Sequence, residues 1–182
     1  MSLTDLDLVI LAKAARDSAA FDALVRRHQA PLRAFLIRLT GDAASADDIA
    51  QETLLKAYRR LEGFRGGSSF RSWLFAIAMR EAAMERRRKA SLARADAAAM
   101  DAPVDEAPAS GRSIDLQAAL SGLSHEERAA ALLCDAAGFS HAEAASVMAA
   151  PLGSVKTYVL RAREKLRAAL GAETTPAAAG CA

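Results

Sequence analysis

The sequence predicts an all-α protein built as two small helical domains joined by a flexible linker, the C-terminal one a helix-turn-helix. Three observations carry that prediction. Aromatic residues make up only 5% of the 182 residues while alanine and leucine abound, which is a composition of helix formers. No run shows the strict apolar-polar alternation of strands; apolar residues recur at steps of three and four instead. A proline-containing stretch poor in bulky apolar residues then separates two such periodic blocks, and the length suits one medium domain or two small ones.

Leu6, Ile10 and Ala14 predict a first helix ending before Ser18. A second runs from about Ser18 to Thr40 on a stripe of Phe21, Leu24, Val25, Leu32, Phe35, Leu36 and Leu39, stopped by Gly41 and kinked at Pro31. The third, from about Ser45 to Glu62, opens beside Asp42, Asp47 and Asp48, acids that favour the positive end of the helix dipole. On one of its faces Asp48, Gln51, Glu52 and Leu55 fall at i, i+3, i+4 and i+7. That is a compact acidic patch with a leucine in it, suited to a basic helical partner; a solvated acidic face accounts for the same spacing.

The stretch EGFRGGSS, Glu62 to Ser69, is a loop by its glycines and serines. Phe64 and Arg65 there suit stacking on or clamping an unpaired base, and equally suit a loop anchor and a surface charge. A fourth helix starts near Phe70, capped by Ser68 or Ser69, with Phe70, Trp73, Leu74, Ile77 and Met84 inward and Arg71, Arg80 and the basic block Arg86 to Lys89 on the other face. The first domain is therefore read as 1–90 and the linker, with Pro103 and Pro108, as 91–113.

The second domain is read as 114–170. Leu116, Leu120 and Leu123 lie on a short helix, and Ser124 with Glu127 forms a capping box opening the next, through Leu132, Leu133 and Cys134 to Gly138. A second box, Ser140 with Glu143, starts a helix to about Met148; Pro151 then begins another, because proline fits the first turn of a helix. Val155, Val159 and Ala162, flanked by Leu152 and Leu166, make the apolar face of that last helix. Its other face carries Ser154, Lys156, Thr157, Arg161, Arg163 and Lys165. Hydroxyls and a lysine near the tip with arginines beyond suit a helix that reads base edges and holds phosphates; an ordinary helical hairpin with a solvated basic face is the plainer alternative. The tail, 171–182, lacks an apolar pattern and is expected to be disordered.

Net charge is only +2, so a nucleic-acid partner is signalled by the distribution of charge and not by its sum. The opening MSLTDLDLVILA places acids before a short apolar run, unlike a secretory signal, and no stretch approaches a membrane span, so a cytoplasmic protein without membrane insertion is expected. Cys134 and Cys181 are too few for a metal site or a disulfide framework. His28, His125 and His141 show no ligand spacing, so no metal, no cofactor and no catalytic residue are expected.

The blocks DDIAQETLLKAYRRLEGFRGGSSFRSWLFAIA and LSGLSHEERAAALL with GFSHAEAASVMAAPLGSVKTYVLRAREKL, in this order and around this linker, resemble the extracytoplasmic-function (ECF) group of bacterial RNA polymerase sigma factors. The resemblance covers about Phe21 to Arg88 and Leu116 to Leu170. It implies a transcription initiation factor, not an enzyme, whose third helix docks through Asp48, Gln51, Glu52 and Leu55 on the clamp helices of the largest subunit of the polymerase core. Phe64, Arg65, Ser68, Ser69, Phe70, Arg71 and Arg80 would capture bases of the minus-ten element. Ser154, Lys156, Thr157, Tyr158 and Arg161 would read the minus-thirty-five element of promoter DNA, with Arg163 and Lys165 on phosphates. The linker would thread toward the RNA exit channel, and an anti-sigma factor is an expected partner.

The chain departs from the family pattern in places. Members commonly carry Arg-Asn where this chain has Arg80 and Glu81, and aspartate where it has Glu85; an acid beside a DNA-facing arginine weakens strand contacts. Ala149 stands where glycine is common and is tolerable where the backbone avoids a positive φ. Ala144 replaces a larger residue and thins the hairpin core. Two rival readings follow: a sigma-like decoy that binds an anti-sigma factor and not DNA, favoured by Glu81 and the thin hairpin core, and a stand-alone helix-turn-helix regulator, which leaves the acidic patch and the Phe64 loop without a purpose.

Overall fold

A computed structural model describes residues 3–14, 18–97 and 112–171 of the chain. Among them there is no strand. The N-terminal module comprises α1 (Asp5–Ala14), α2 (Ser18–Thr40), α3 (Ala43–Arg60), a 3-10 turn (Leu61–Gly63) and α4 (Phe70–Ala97). The C-terminal module comprises α5 (Arg112–Ser121), α6 (His125–Ala131), a π-helical turn (Leu132–Ala136), α7 (His141–Met148) and α8 (Leu152–Gly171).

The helix starts follow from local chemistry. Thr4 and Asp7 cap α1 reciprocally, Asp7 N–H on Thr4 Oγ1 at 3.2 Å and Thr4 N–H on the Asp7 carboxylate at 2.8 Å. Asp42 caps α3, accepting from the amides of Ala44 and Ser45. Both expected capping boxes form in full, Ser124 with Glu127 and Ser140 with Glu143. Gly41, at φ +77°, ends α2 as expected, and α2 runs unbroken through Pro31.

Five expectations are corrected. Met84, expected to face inward on α4, is 50% exposed. Residues 91–97, assigned to the linker, are the end of α4; alanine, leucine and arginine are helix formers, so nothing in that stretch stops the helix. Pro151 lies just ahead of α8 and its carbonyl takes the first intrahelical bond, from Val155 N–H at 3.1 Å, so it caps the helix instead of opening it. Leu152 is exposed and adds nothing to the α7–α8 seam, which is made by buried Ala144, Val147, Val155, Val159 and Ala162. Ala149 does adopt a positive φ, at φ 50° and ψ 42°, because the tight turn between α7 and α8 needs a left-handed residue there. The remainder of the linker, 98–111, and the tail beyond Gly171 with Cys181 lie outside the described residues.

The two modules also pack on each other. α7 lies along α4, and the π-turn and α6 reach α2, so the buried residues of both modules form one continuous cluster. Phe139, between the π-turn and α7, sets its ring 5.0 Å edge-on from Phe75 of α4. The Arg71 guanidinium covers Phe139 at 4.3 Å and donates to the Ala137 carbonyl; Arg128 reaches the Leu39 carbonyl at 3.2 Å.

Candidate polymerase and nucleic-acid interfaces

The α3 patch is a rigid face because α3 is pinned at its start. Asp42 accepts from the Ser45 hydroxyl and the Lys89 ammonium, and these bonds, Ser45 first, draw its carboxyl down to about 2. Asp48, Gln51 and Leu55 stand exposed and Glu52 is half-buried, 3.3 Å from Lys56. Leu55 lies 42% exposed beside these acids, and Tyr58, 55% exposed, sets its ring 5.0 Å from that of Phe21. The patch continues onto α4: Asp48, Glu52, Glu81, Met84, Glu85 and Arg88 line a groove of about 410 Å³. Sequence reasoning missed the α4 half, although 81, 84, 85 and 88 have the spacing of one helix face. Glu81 does not oppose Arg80; it bonds Lys56 at 2.6 Å, raising the lysine's pKa and linking α3 to α4.

The loop from Phe64 to Ser69 divides into buried ends and an open middle. Phe64 and Phe70 are both buried, their rings 6.1 Å apart and each against Trp73, at 5.2 and 5.7 Å. The expectation that these two rings meet a flipped base is corrected: packed edge to face inside the module, neither offers a free surface. Ser69 is the cap of α4, its Oγ accepting from Ser72 N–H at 3.0 Å. Arg71 is occupied by the C-terminal module as described. Arg65 and Ser68 are exposed on the open stretch, with Gly66 at φ +72°, and Arg80 is exposed beyond.

On α8, Lys156, Thr157 and Arg161 are exposed together, with Ser154 half-buried beside them. The Thr157 hydroxyl donates back to Gly153 O at 3.0 Å. Tyr158 is half-buried and leans into the groove between modules. Arg163 holds Asp135 at 2.5 Å, and Lys165 holds the buried Glu127 at 2.7 Å. Lys165 and the Ser124 amide together keep the Glu127 carboxyl below its ordinary value. Arg163 and Lys165, expected on phosphates, thus each pair with a carboxylate of the same module while about half of each side chain stays exposed.

A second groove, of about 480 Å³, runs between modules over Met79, Met84, Met148 and Tyr158, with Arg80, Arg86 and Arg87 on its rim. Among the described residues no helix is long and apolar enough to cross a membrane, and no group of three metal-ligating side chains comes together.

Residues 24–92 match the Sigma-70 region 2 family and residues 113–166 the Sigma-70 region 4 family. The chain is 38% identical over 142 residues to the ECF RNA polymerase sigma factor EcfG of Rhodopseudomonas palustris, covering 76% of this chain and 78% of that one. It is 34% identical over 173 residues to the RNA polymerase sigma-H factor of Pseudomonas aeruginosa, covering 85% and 88%. Among solved structures it is similar to the sigma factor RpoE bound to the anti-sigma factor NepR from Bartonella quintana, with a TM-score of 0.73 and 31% identity over 84% of this chain and 98% of that one. A second likeness is to CnrH in complex with the cytosolic domain of CnrY, with a TM-score of 0.71 and 27% identity over 93% and 99%. Two sigma regions in this order, and identity at this level along most of the chain, mean that the protein belongs to the ECF group of RNA polymerase sigma factors.

Proposed function

We propose that the α3–α4 groove is where this sigma factor meets the polymerase core, that the open stretch 65–68 holds an unpaired base of the minus-ten element, and that the Lys156–Arg161 edge of α8 enters the major groove at the minus-thirty-five element. The observation that carries the reading is the acidic groove with Met84 in its lining and Leu55 exposed one turn beyond Glu52 on α3. Charge complementarity gives such a site its partner choice and apolar side chains its adhesion.

The test is run-off transcription with purified core enzyme. Reversing Asp48 and Glu52 to lysine is expected to reduce core affinity at least about tenfold, each lost close pair being worth on the order of 1 kcal/mol. Unchanged affinity would sink the docking assignment.

The decoy reading drew on the thin hairpin core and on Glu81 beside a DNA-facing arginine. The Lys56–Glu81 bond speaks against it, since that charge is already neutralised inside the module. A regulatory partner fits better. Of the two similar solved structures, one is a sigma factor in complex with an anti-sigma factor and the other is CnrH in complex with the cytosolic domain of CnrY. The methionine-floored, arginine-rimmed groove between the modules would accept an acidic amphipathic helix of such a partner.

A further inference from the structure

α1 belongs to none of these surfaces, yet its polar contacts converge on one of them. Its buried Leu8 and Val9 seat it on the N-terminal module, and two ties then reach the ends of the loop. At the first, the Lys13 ammonium donates to the Phe64 carbonyl at 3.0 Å in a partly buried bond across fifty-one positions of sequence. At the second, Asp5 accepts from Arg27 at 2.5 Å and lies 2.7 Å from His28 Nε2. The His28 ring is 6% exposed and stands 5.5 Å from the ring of Phe70.

Phe64 and Phe70 bound the open stretch. Within that stretch the side chains are exposed and the backbone turns at Gly66. Its shape is accordingly dictated by where its two ends are held. A loop that must accept a base gains affinity when it is held in the accepting shape beforehand, since the ordering cost is then met by folding and not by binding.

We propose that α1 is the positioning element of this loop, Lys13 fixing the Phe64 end and Asp5, through His28, the Phe70 end. The proposal rests on the reading above that the loop holds an unpaired base. Lys13 and Asp5 touch no DNA; they are positioning residues.

The experiment uses the full chain with Lys13→Met, Lys13→Arg and Asp5→Asn. Trp73 is the sole tryptophan and lies against both phenylalanines, so its emission reports the loop ends in the free protein. Lys13→Met and Asp5→Asn are expected to shift that emission and to speed amide exchange across 64–70 by about tenfold, the worth of one part-buried charged hydrogen bond. Lys13→Arg, which keeps a donor in reach, restores both. With core polymerase and a promoter fragment selected from a random library by the wild-type holoenzyme, Lys13→Met is expected to slow strand opening about tenfold with core affinity unchanged.

Wild-type emission and exchange in Lys13→Met would overturn the proposal, as would failure of arginine to rescue. A loosened loop with normal opening keeps the tie and overturns the base-capture reading instead, so the two failures are told apart.

Discussion

At the scale of single residues, the side chains that matter most are held in conformations or charge states that a propensity scale would not choose. Ala149 occupies the left-handed region, φ 50° and ψ 42°, where its Cβ crowds the following carbonyl at a cost of about 1 kcal/mol. Ala149→Gly is therefore expected to stabilise the C-terminal module by about 1 kcal/mol, seen as a rise of a few degrees in its thermal midpoint. Asp42 supplies a second case. Its folded pKa, about 2, is depressed from 3.8, so its stabilisation is complete above the ordinary carboxyl range and fades as pH falls toward 2. Asp42→Ala should cost about 1 kcal/mol at neutral pH, the usual worth of a helix cap, and the gap between variant and wild type should narrow through acid titration. A gap that stays constant from neutrality down to pH 2 would contradict the assigned role.

At the scale of elements, the helices were legible wherever the signal was local. Ser124 with Glu127 and Ser140 with Glu143 state their helix starts in four consecutive residues, and both formed as read. The illegible features all depend on partners distant in sequence. Phe64 in a glycine-rich loop looks free until Phe70 and Trp73 close over it. Arg163 and Lys165 look like phosphate ligands because periodicity places them on an open helix face. What that reading omits is their pairing with Asp135 and Glu127, brought alongside only when α8 docks on α6 and the π-turn. The Thr4–Asp7 cap of α1 is equally local, a threonine and an acid three residues apart. The Glu127 contact carries its own test. Lys165→Met leaves a buried carboxylate with only the Ser124 amide, and should destabilise the C-terminal module by about 1 kcal/mol at neutral pH. Since that carboxyl is depressed in the folded state, the effect is complete above its ordinary value and is lost as pH falls through the lowered one. If the lysine instead served DNA alone, stability would be unchanged and only the salt dependence of DNA binding would flatten.

At the scale of the whole molecule, the modules foreseen as independent bodies on a tether are joined through a small aromatic seam. Lys156 and Arg161 remain on the surface, so the C-terminal module keeps the edge proposed to face DNA open while docked. Arg71 cannot: its guanidinium lies on Phe139 and bonds the Ala137 carbonyl, so any strand it serves must compete with the C-terminal module for it. We propose that docking and minus-ten capture exclude each other at this one residue, so weakening the seam strengthens the capture for as long as the docked form predominates. Phe139→Ala removes the ring under Arg71 and the edge contact with Phe75; truncating a buried aromatic there costs the seam about 3 kcal/mol. The variant is expected to scatter X-rays as a more extended particle and to bind melted minus-ten DNA in holoenzyme more tightly than the wild type. Arg71→Ala opens the seam too but loses the DNA contact, so it should extend without any gain in binding. Equal affinities for the two variants would mean that Arg71 serves the seam alone.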